Sequence, residues 1–547
     1  MQALFLIFFK FFQKFFQIRI FAHISTFLGG FSFPMGVNYG IIRSNNHLTE
    51  SSVTPKGEIN MRANNLTLLT DLYELTMMQG YFKNPTNQTV VFDMFYRDNP
   101  CGGAYAITAG LEQMIEYIEN LRFTEEDIEY LRSLHAFEED FLEYLSNFHF
   151  SGDIYAIPEG TVVFPREPLV KVIAPIMEAQ LVETAILNII NHQSLIATKA
   201  ARVCHAAKGD GVMEFGLRRA QGPDAGIFGA RAAMIAGCAG TSCVLTGQMF
   251  DVPVLGTHAH SWIMSFPDEY TAFKTYAKLY PNACTLLVDT YDVLKSGVPN
   301  AIRVFEEMRE EGIPLTKYGI RIDSGDLAYL SKEAYKMLAA AGFDDAIIAA
   351  SSDLDEYLIE SLKAQDAKIN SWGVGTRLIT SKDNPAFGGV YKLAAVKDAN
   401  SSTFIPKIKL SENTEKVTNP GNKTVYRIYS KSTGKIKADL ICLADEKLNP
   451  EETLVLFDPV DTWKKTKVLG GTYEVRELLI PVIKEGKQVY DSPSVMELRD
   501  YCTKEKNTLW EESKRFTNPQ KVYVDLSQKL YDLKKELLEE MSEKALD

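Results

Sequence analysis

Gly319-Ile320-Arg321-Ile322-Asp323-Ser324-Gly325-Asp326-Leu327 carries the pattern on which the fold turns. The apolar run Gly319–Ile322 reads as a short strand. The polar cluster after it ends the strand, and Asp326 is placed to cap a helix starting at Leu327. Strand, polar exit and helix make one unit of a parallel sheet, because parallel strands need a crossover between them. The same unit recurs on both sides. From Gly211 to about Leu393 the apolar runs are Gly211–Leu217, Ser242–Leu245, Val252–Leu255, Thr285–Val288, Gly319–Ile322, Ala346–Ala350 and Ile369–Gly373. They predict an α/β fold whose parallel sheet closes into a barrel. The gap between Leu245 and Val252 is too short for a crossover helix, so the barrel is expected to be irregular.

Polar residues stand at the exits of these runs. They include Arg218 and Arg219, then Thr257, His258 and His260, then Asp289 and Asp292. Further along come Asp323, Ser324 and Asp326, then Ser351, Ser352, Asp353 and Asp355, then Gly373, Gly375, Thr376 and Arg377. In a barrel the downstream strand ends converge on one mouth, where chemistry collects. Gly373-Val374-Gly375-Thr376 suits a phosphate, since glycines let backbone N–H groups approach it closely. Asp323 and Asp326 suit ribose hydroxyls or a magnesium shell, and Asp326 equally suits a helix cap. Val252-Pro253-Val254-Leu255 reads as a short buried strand that delivers Gly256-Thr257-His258-Ala259-His260 to the mouth. A histidine there can act as nucleophile, acid/base or ligand. It can also be structural, bonding a loop carbonyl.

The net charge of -13 argues against a nucleic-acid partner, which needs a basic face. Seven cysteines without a Cys-x-x-Cys spacing fit reduced thiols in a cytoplasmic protein better than a disulfide frame or zinc site. Residues 1–33 hold eleven of the 31 phenylalanines, with Lys10, Lys14 and Arg19 between them. The apolar stretch before Lys10 is too short to span a bilayer. A basic aromatic helix lying on a membrane is one reading. The preferred reading is a disordered or untranslated leader over 1–60, with Met61 as the natural start, and no membrane partner.

Residues 61–205 read as an N-terminal α+β domain. It has a helix from Thr70 to Gly80, a strand from Val90 to Arg97, and a capping box at Thr124-Glu125-Glu126-Asp127. Strands follow at 153–157, 161–164 and 169–173, then a long apolar helix from Glu178 to Cys204. Residues 206–395 form the barrel. Residues 396–547 supply strands returning to the N-terminal sheet, with Pro406–Ser411 among them and a hairpin turn at Asn419-Pro420-Gly421-Asn422. Leu526, Leu530, Leu533 and Leu537 mark an amphipathic C-terminal helix.

Five segments in order resemble the nicotinate phosphoribosyltransferase family: Asp71-Leu72-Tyr73-Glu74-Leu75-Thr76-Met77, Glu214-Phe215-Gly216-Leu217-Arg218-Arg219-Ala220-Gln221-Gly222, Gly256-Thr257-His258-Ala259-His260-Ser261, Ile320-Arg321-Ile322-Asp323-Ser324-Gly325-Asp326 and Gly373-Val374-Gly375-Thr376. The resemblance spans about Asn64 to the C-terminal region. It implies an irregular α/β barrel with an N-terminal α+β domain, as a homodimer. It also implies an ATP-dependent ligase. Nicotinate, 5-phosphoribosyl 1-diphosphate, ATP and water would give nicotinate mononucleotide, ADP, phosphate and diphosphate, the first step of NAD salvage from nicotinate. ATP would be a co-substrate and Mg²⁺ the metal.

By the same resemblance His260 becomes phosphorylated, while His258 occupies a variable position and keeps a structural role. Asp289 orients the imidazole. Tyr73, Arg218, Thr257 and Arg321 contact nicotinate. Asp353, Gly373, Gly375 and Thr376 hold the phosphoribosyl diphosphate, and Asp323 faces ribose and magnesium. Ser242 stands where the related nicotinamide enzyme has an Asp; a serine can donate to a carboxylate that an Asp would repel. Rival readings are the same fold acting on nicotinamide or quinolinate, a non-catalytic protein held at a membrane by its leader, and a sugar-phosphate aldolase or isomerase. The last wants a catalytic Lys or carboxylate base in the barrel, and no strand exit supplies a Lys.

Overall fold

The computed structural model describes residues 65–84, 88–411, 416–461 and 463–544; the leader 1–60 lies outside them. Met61–Asp547 forms one compact unit. At its centre is a six-stranded parallel sheet of β1 (Gly211–Glu214), β2 (Gly240–Thr241), β3 (Cys284–Leu287), β4 (Tyr318–Ile322), β5 (Ile347–Ala350) and β6 (Ser371–Val374). The spatial order is β2-β1-β6-β5-β4-β3. Leu286, Ile320, Ile322, Ile348, Trp372 and Val374 are buried, as expected for strands covered by helices on their way through a core.

The sheet curls into a half-barrel and leaves β2 and β3 as its edges. Two of the seven expected strands are different in kind. Ser242–Leu245 is not a strand: β2 ends at Thr241, and the helix Val244–Phe250 fills the gap judged too short for one. Val252–Leu255 is not a buried strand either. It touches the sheet through a single parallel bridge, Thr241 to Val254, and Val254 and Leu255 are 45% and 37% exposed. After a helix of only seven residues the chain is returned to the rim of the sheet and cannot descend along it.

A side chain spans the opening. Nε2 of His258 accepts a hydrogen bond from the Leu287 N–H, at 3.3 Å, on the free edge of β3. The segment leaving Val254 therefore connects one sheet edge to the other. His258 is buried, packed edge-on against Tyr276 with ring centroids 4.7 Å apart.

The N-terminal domain has a seven-stranded antiparallel sheet. Its order is Ile405–Pro406, Gly389–Lys397, Thr89–Tyr96, Val170–Pro175, Asp153–Ala156, Ile480–Lys484 and Lys487–Gln488. Of residues 396–547, Ile405–Pro406, Ile480–Lys484 and Lys487–Gln488 join it, the strand Gly389–Lys397 lies mostly before that range, and Pro406–Ser411 contributes only Pro406. Most of the C-terminal region instead builds a third sheet of six strands, Lys465–Val468, Leu454–Phe457, Tyr523–Leu526, Ile436–Leu443, Lys423–Ser430 and Tyr473–Glu477. Asn419–Asn422 is thus a link between sheets and not a hairpin, with Gly421 at φ +88°. The capping box at Thr124 forms as read, with Thr124 and Asp127 bonding each other's backbone N–H. The first helix runs through Gly80, as Leu72–Lys83, and ends at Asn84, whose N–H bonds the Gly80 carbonyl. The long apolar helix is divided at Val182 into Ile176–Leu181 and Glu183–Ala206. Asp355 and Asp326 cap the helices after β5 and β4 through Leu358 and Tyr329 N–H.

Candidate active site

The C-terminal ends of the six strands form the mouth, and the sequence of each exit explains its geometry. After Val254 the chain forms no regular element until Ala259, which is extended, and His260 begins the helix His260–Met264. Its imidazole therefore leans out from a helix start and is not in a free loop. Nδ1 of His260 lies 3.1 Å from the Thr290 hydroxyl, and Nε2 lies 3.9 Å from Oδ2 of Asp323. Both side chains are open to solvent, at 41% and 37%.

Asp289, expected to orient this ring, does not bond it. Its Oδ2 accepts from the Asp323 N–H at 3.0 Å and the Ser324 hydroxyl at 2.6 Å, fixing the exit of β4 against that of β3. Its Oδ1 is buried without a partner. Thr290, one residue on, takes the orienting contact. The Ser351 hydroxyl donates to Oδ1 of Asp323, so the exit of β5 also aims that carboxylate.

Beside this cluster, Nη1 of Arg321 donates to the Thr257 hydroxyl, which itself donates to the His258 carbonyl at 3.2 Å. Arg321 Nε is buried without a partner. Burial lowers the affinity of Arg321 for its proton, and the neighbouring Arg218 lowers it further, against Asp323 and Asp289. Arg218 is exposed, on the turn Leu217–Arg219 after β1.

Glu214, at the end of β1, was not singled out as a site residue. It is fully buried, accepts from the Gly216 N–H and from Thr241 Oγ1 at 2.7 Å, and is pushed above the usual carboxylate range by burial. It ties the Arg218 turn to the end of β2. Ser242 follows β2 and is half-buried, its N–H donating to the Glu214 carbonyl at 2.9 Å. The only signal for Glu214 was its place one residue before Phe215-Gly216 in the second segment.

At β6, a Cβ on Gly373 would come within 2.8 Å of the Phe215 ring, and one on Gly375 within 3.2 Å of the Phe215 carbonyl oxygen. The backbone passes this close only because both are glycine. Gly375 precedes the short helix Thr376–Ile379, with Thr376 half-buried at its start. Asp353 is exposed and unbonded, beside Ser352 at φ +124°. Tyr73 is not joined to the mouth. It is 46% exposed on the helix Leu72–Lys83, and its surroundings are Glu74, Glu183 and Asp71. Burial and then Glu74 push its hydroxyl up. Among the described residues no group of three or more His, Cys, Asp or Glu could hold a metal.

Three family profiles cover nearly all of this architecture. Those described as nicotinate phosphoribosyltransferase N-terminal domain, family and C-terminal domain match residues 68–191, 211–430 and 422–534. The Bacillus subtilis nicotinate phosphoribosyltransferase is 45% identical over 495 residues, 89% of this chain and 99% of its own. The chain belongs to the nicotinate phosphoribosyltransferase family. The human nicotinate phosphoribosyltransferase is 32% identical over 524 residues, spanning 85% of this chain and 95% of its own. The crystal structure of human nicotinic acid phosphoribosyltransferase superposes with a TM-score of 0.73 at 29% identity, over 86% of this chain and 100% of that one. A nicotinate-nucleotide pyrophosphorylase from Pyrococcus furiosus shares the fold, with a TM-score of 0.62 at 24% identity over 82% of this chain and 97% of that one. The α/β fold was expected as a closed, irregular barrel; found as a half-barrel, it is the fold of a known enzyme family of pyridine nucleotide biosynthesis. No helix of the described residues is long and apolar enough to cross a membrane.

Proposed function

We propose that the mouth transfers a phosphoribosyl group from 5-phosphoribosyl 1-diphosphate to nicotinate, coupled to ATP hydrolysis through phosphorylation of His260, as the entry of nicotinate into NAD salvage. The observation that carries this reading is the adjacency of a solvent-open imidazole, His260, to the Arg321–Thr257 pair. One suits a phosphoryl acceptor and the other a pyridine carboxylate.

With Nδ1 of His260 donating to Thr290, the lone pair on Nε2 is free to attack the γ-phosphorus of ATP. The N–P bond forms as the bond to ADP breaks. Water later takes the phosphoryl group, releasing orthophosphate and restoring the imidazole. In the glycosyl step the pyridine nitrogen bonds to C1 of the ribose as diphosphate leaves. That nitrogen carries no proton at neutral pH, so no general base is needed, and the absence of a lysine at the strand exits agrees with this. Arg321, with Thr257 and Arg218, would take the nicotinate carboxylate, since a guanidinium fork suits a planar anion. Ser242 would favour the acid over the amide. Gly373, Gly375 and Thr376 would cradle the 5-phosphate with Asp353 toward the diphosphate.

Magnesium fits the pair Asp323 and Asp289. Asp289 Oδ1 is an orphaned buried carboxylate oxygen, and Mg²⁺ is ordinarily held by one or two carboxylates plus substrate phosphates. When bound, it would neutralise charge on the phosphate groups. Tyr73 supports a homodimer. It is exposed on its helix, as are Leu72 and Met77, and in a dimer it would be offered to the mouth of a second copy.

The test is incubation with γ-labelled ATP. Acid-labile, base-stable label is expected on the wild type and not on His260→Ala; no label on the wild type refutes the phosphohistidine. Turnover of nicotinamide in preference to nicotinate would overturn the substrate.

A further inference from the structure

Where Thr89–Tyr96 meets the C-terminal sheet there is an open, shallow cleft whose lining includes Asp93, Arg166, Lys416, Lys423 and Lys534. None of its residues belongs to the mouth. Among the described residues that line it, four cations face one carboxylate. Lys423 bonds Asp93 Oδ2 at 2.7 Å and the Gly421 carbonyl at 2.7 Å. Lys534 is buried, and its acceptors among the described residues are neutral, Asn419 Oδ1 at 2.9 Å and the Pro459 carbonyl at 3.1 Å. The guanidinium of Arg166 and the ammonium of Lys416 have no hydrogen bond or ion pair among the described residues. Asp93 Oδ1 is buried without a partner. Asp458 is the second carboxylate that Lys534 senses, and its Oδ1 already accepts from Val460 and Asp461 N–H.

Among the described residues, Lys534 and Lys171 are the buried lysines that bond no carboxylate. Other fully buried cations hold carboxylates directly: Lys199 with Glu356 at 2.7 Å, Arg231 with Glu159 at 2.7 Å, and Arg427 with Asp439 at 2.6 Å. A desolvated ammonium without a counter-charge is costly. Burial, and then Arg166, push Lys534 down to about 8. Lys171, behind Lys423 and bonded to its carbonyl at 2.8 Å, is likewise brought to about 8 by burial. Such a surplus is relieved by an anion of more than one charge, and the mixed Arg and Lys donors match tetrahedral oxygens.

We propose that this cleft is a second, non-catalytic site for a phosphate dianion, free or carried as a phosphomonoester. Arg166, Lys416 and Lys534 supply the charge, and Lys423 stays paired with Asp93. The site is independent of the assignment of the mouth.

Equilibrium dialysis of the full chain with labelled orthophosphate tests it, at constant ionic strength with chloride as the balancing salt. To silence the mouth, the same measurement uses a His260→Ala, Thr376→Val chain. One phosphate per chain should persist there. Its affinity should fall about tenfold or more in Arg166→Gln on that background, as expected for loss of one charge-assisted bond. Lys416 is exposed, so Lys416→Gln leaves the fold intact and should weaken binding by a smaller factor. Displacement by adenosine monophosphate would identify a phosphomonoester as the ligand form; failure to displace would identify free phosphate. Loss of all phosphate binding with the mouth silenced would overturn the proposal. So would affinity unchanged in both cleft variants, or equal displacement by chloride.

Discussion

Protonation of His258 should loosen the seam between the two sheet edges. Nε2 of His258 accepts from the Leu287 N–H, so the ring must be neutral with that nitrogen bare. A proton on Nε2 would set two donors against each other. Burial, together with the nearby Arg321 and His260, brings the ring down from 6.5 to about 4. Above pH 6.5 neither the folded nor the unfolded ring is charged, and the group adds no pH dependence. Between 6.5 and about 4 the unfolded chain takes the proton and the folded one does not, so stability falls with pH. At about 1.36 kcal/mol per pH unit this amounts to about 3 kcal/mol once both forms are protonated. The assay is hydrogen exchange of the Leu287 amide, corrected for intrinsic pH dependence, since local opening reports this seam without requiring the whole chain to unfold as one. Protection should drop toward tenfold per pH unit below 6.5. His258→Gln keeps an acceptor and cannot titrate, so its protection should stay flat over the same range. Equal slopes in the two chains would refute the reasoning, because the seam would then owe its pH dependence to other groups.

Arg321→Gln should raise the KM for nicotinate by roughly 10- to 100-fold through loss of a charge-assisted bond of about 1.5–3 kcal/mol, with the KM for ATP little changed; initial-rate kinetics check this. Glu159→Gln should lower stability by about 3 kcal/mol, because it leaves fully buried Arg231 with only Glu112 as counter-charge, and a thermal melt reads it. Chains carrying Tyr73→Ala and chains carrying His260→Ala, each inactive alone, should regain about a quarter of wild-type activity when dissociated and reassociated together, since half the random dimers would hold one intact mouth. Activity no greater than the sum of the two separate preparations would place each mouth within one chain.

The strand exits were legible because their information is local. An apolar run followed by Asp323-Ser324-Gly325-Asp326 has to stop, turn and cap, and it does so with Asp326 bonding the Tyr329 N–H. The glycines at 373 and 375 were legible as a local pattern that suits a phosphate, but their close approach to Phe215, from a distant part of the chain, was not. What stayed hidden depends on contacts between exits. Asp289 and Thr290 are neighbours in sequence, and periodicity cannot say which of them meets His260; the register of β3 against β4 turns Asp289 toward Ser324 and leaves Thr290 for the ring. Val252–Leu255 has the composition of a buried strand and lies at the rim, since hydrophobicity does not encode how far a seven-residue helix can return the chain. Here the two histidines acquire their difference. This six-stranded sheet is not closed by backbone bonds; the His258 side chain reaches Leu287, and that anchor stands two residues before His260 begins its helix. The histidine without chemistry of its own is thus a positioning residue for the one proposed to carry it, and the two sit two residues apart because one ring must face the seam while the other faces the mouth.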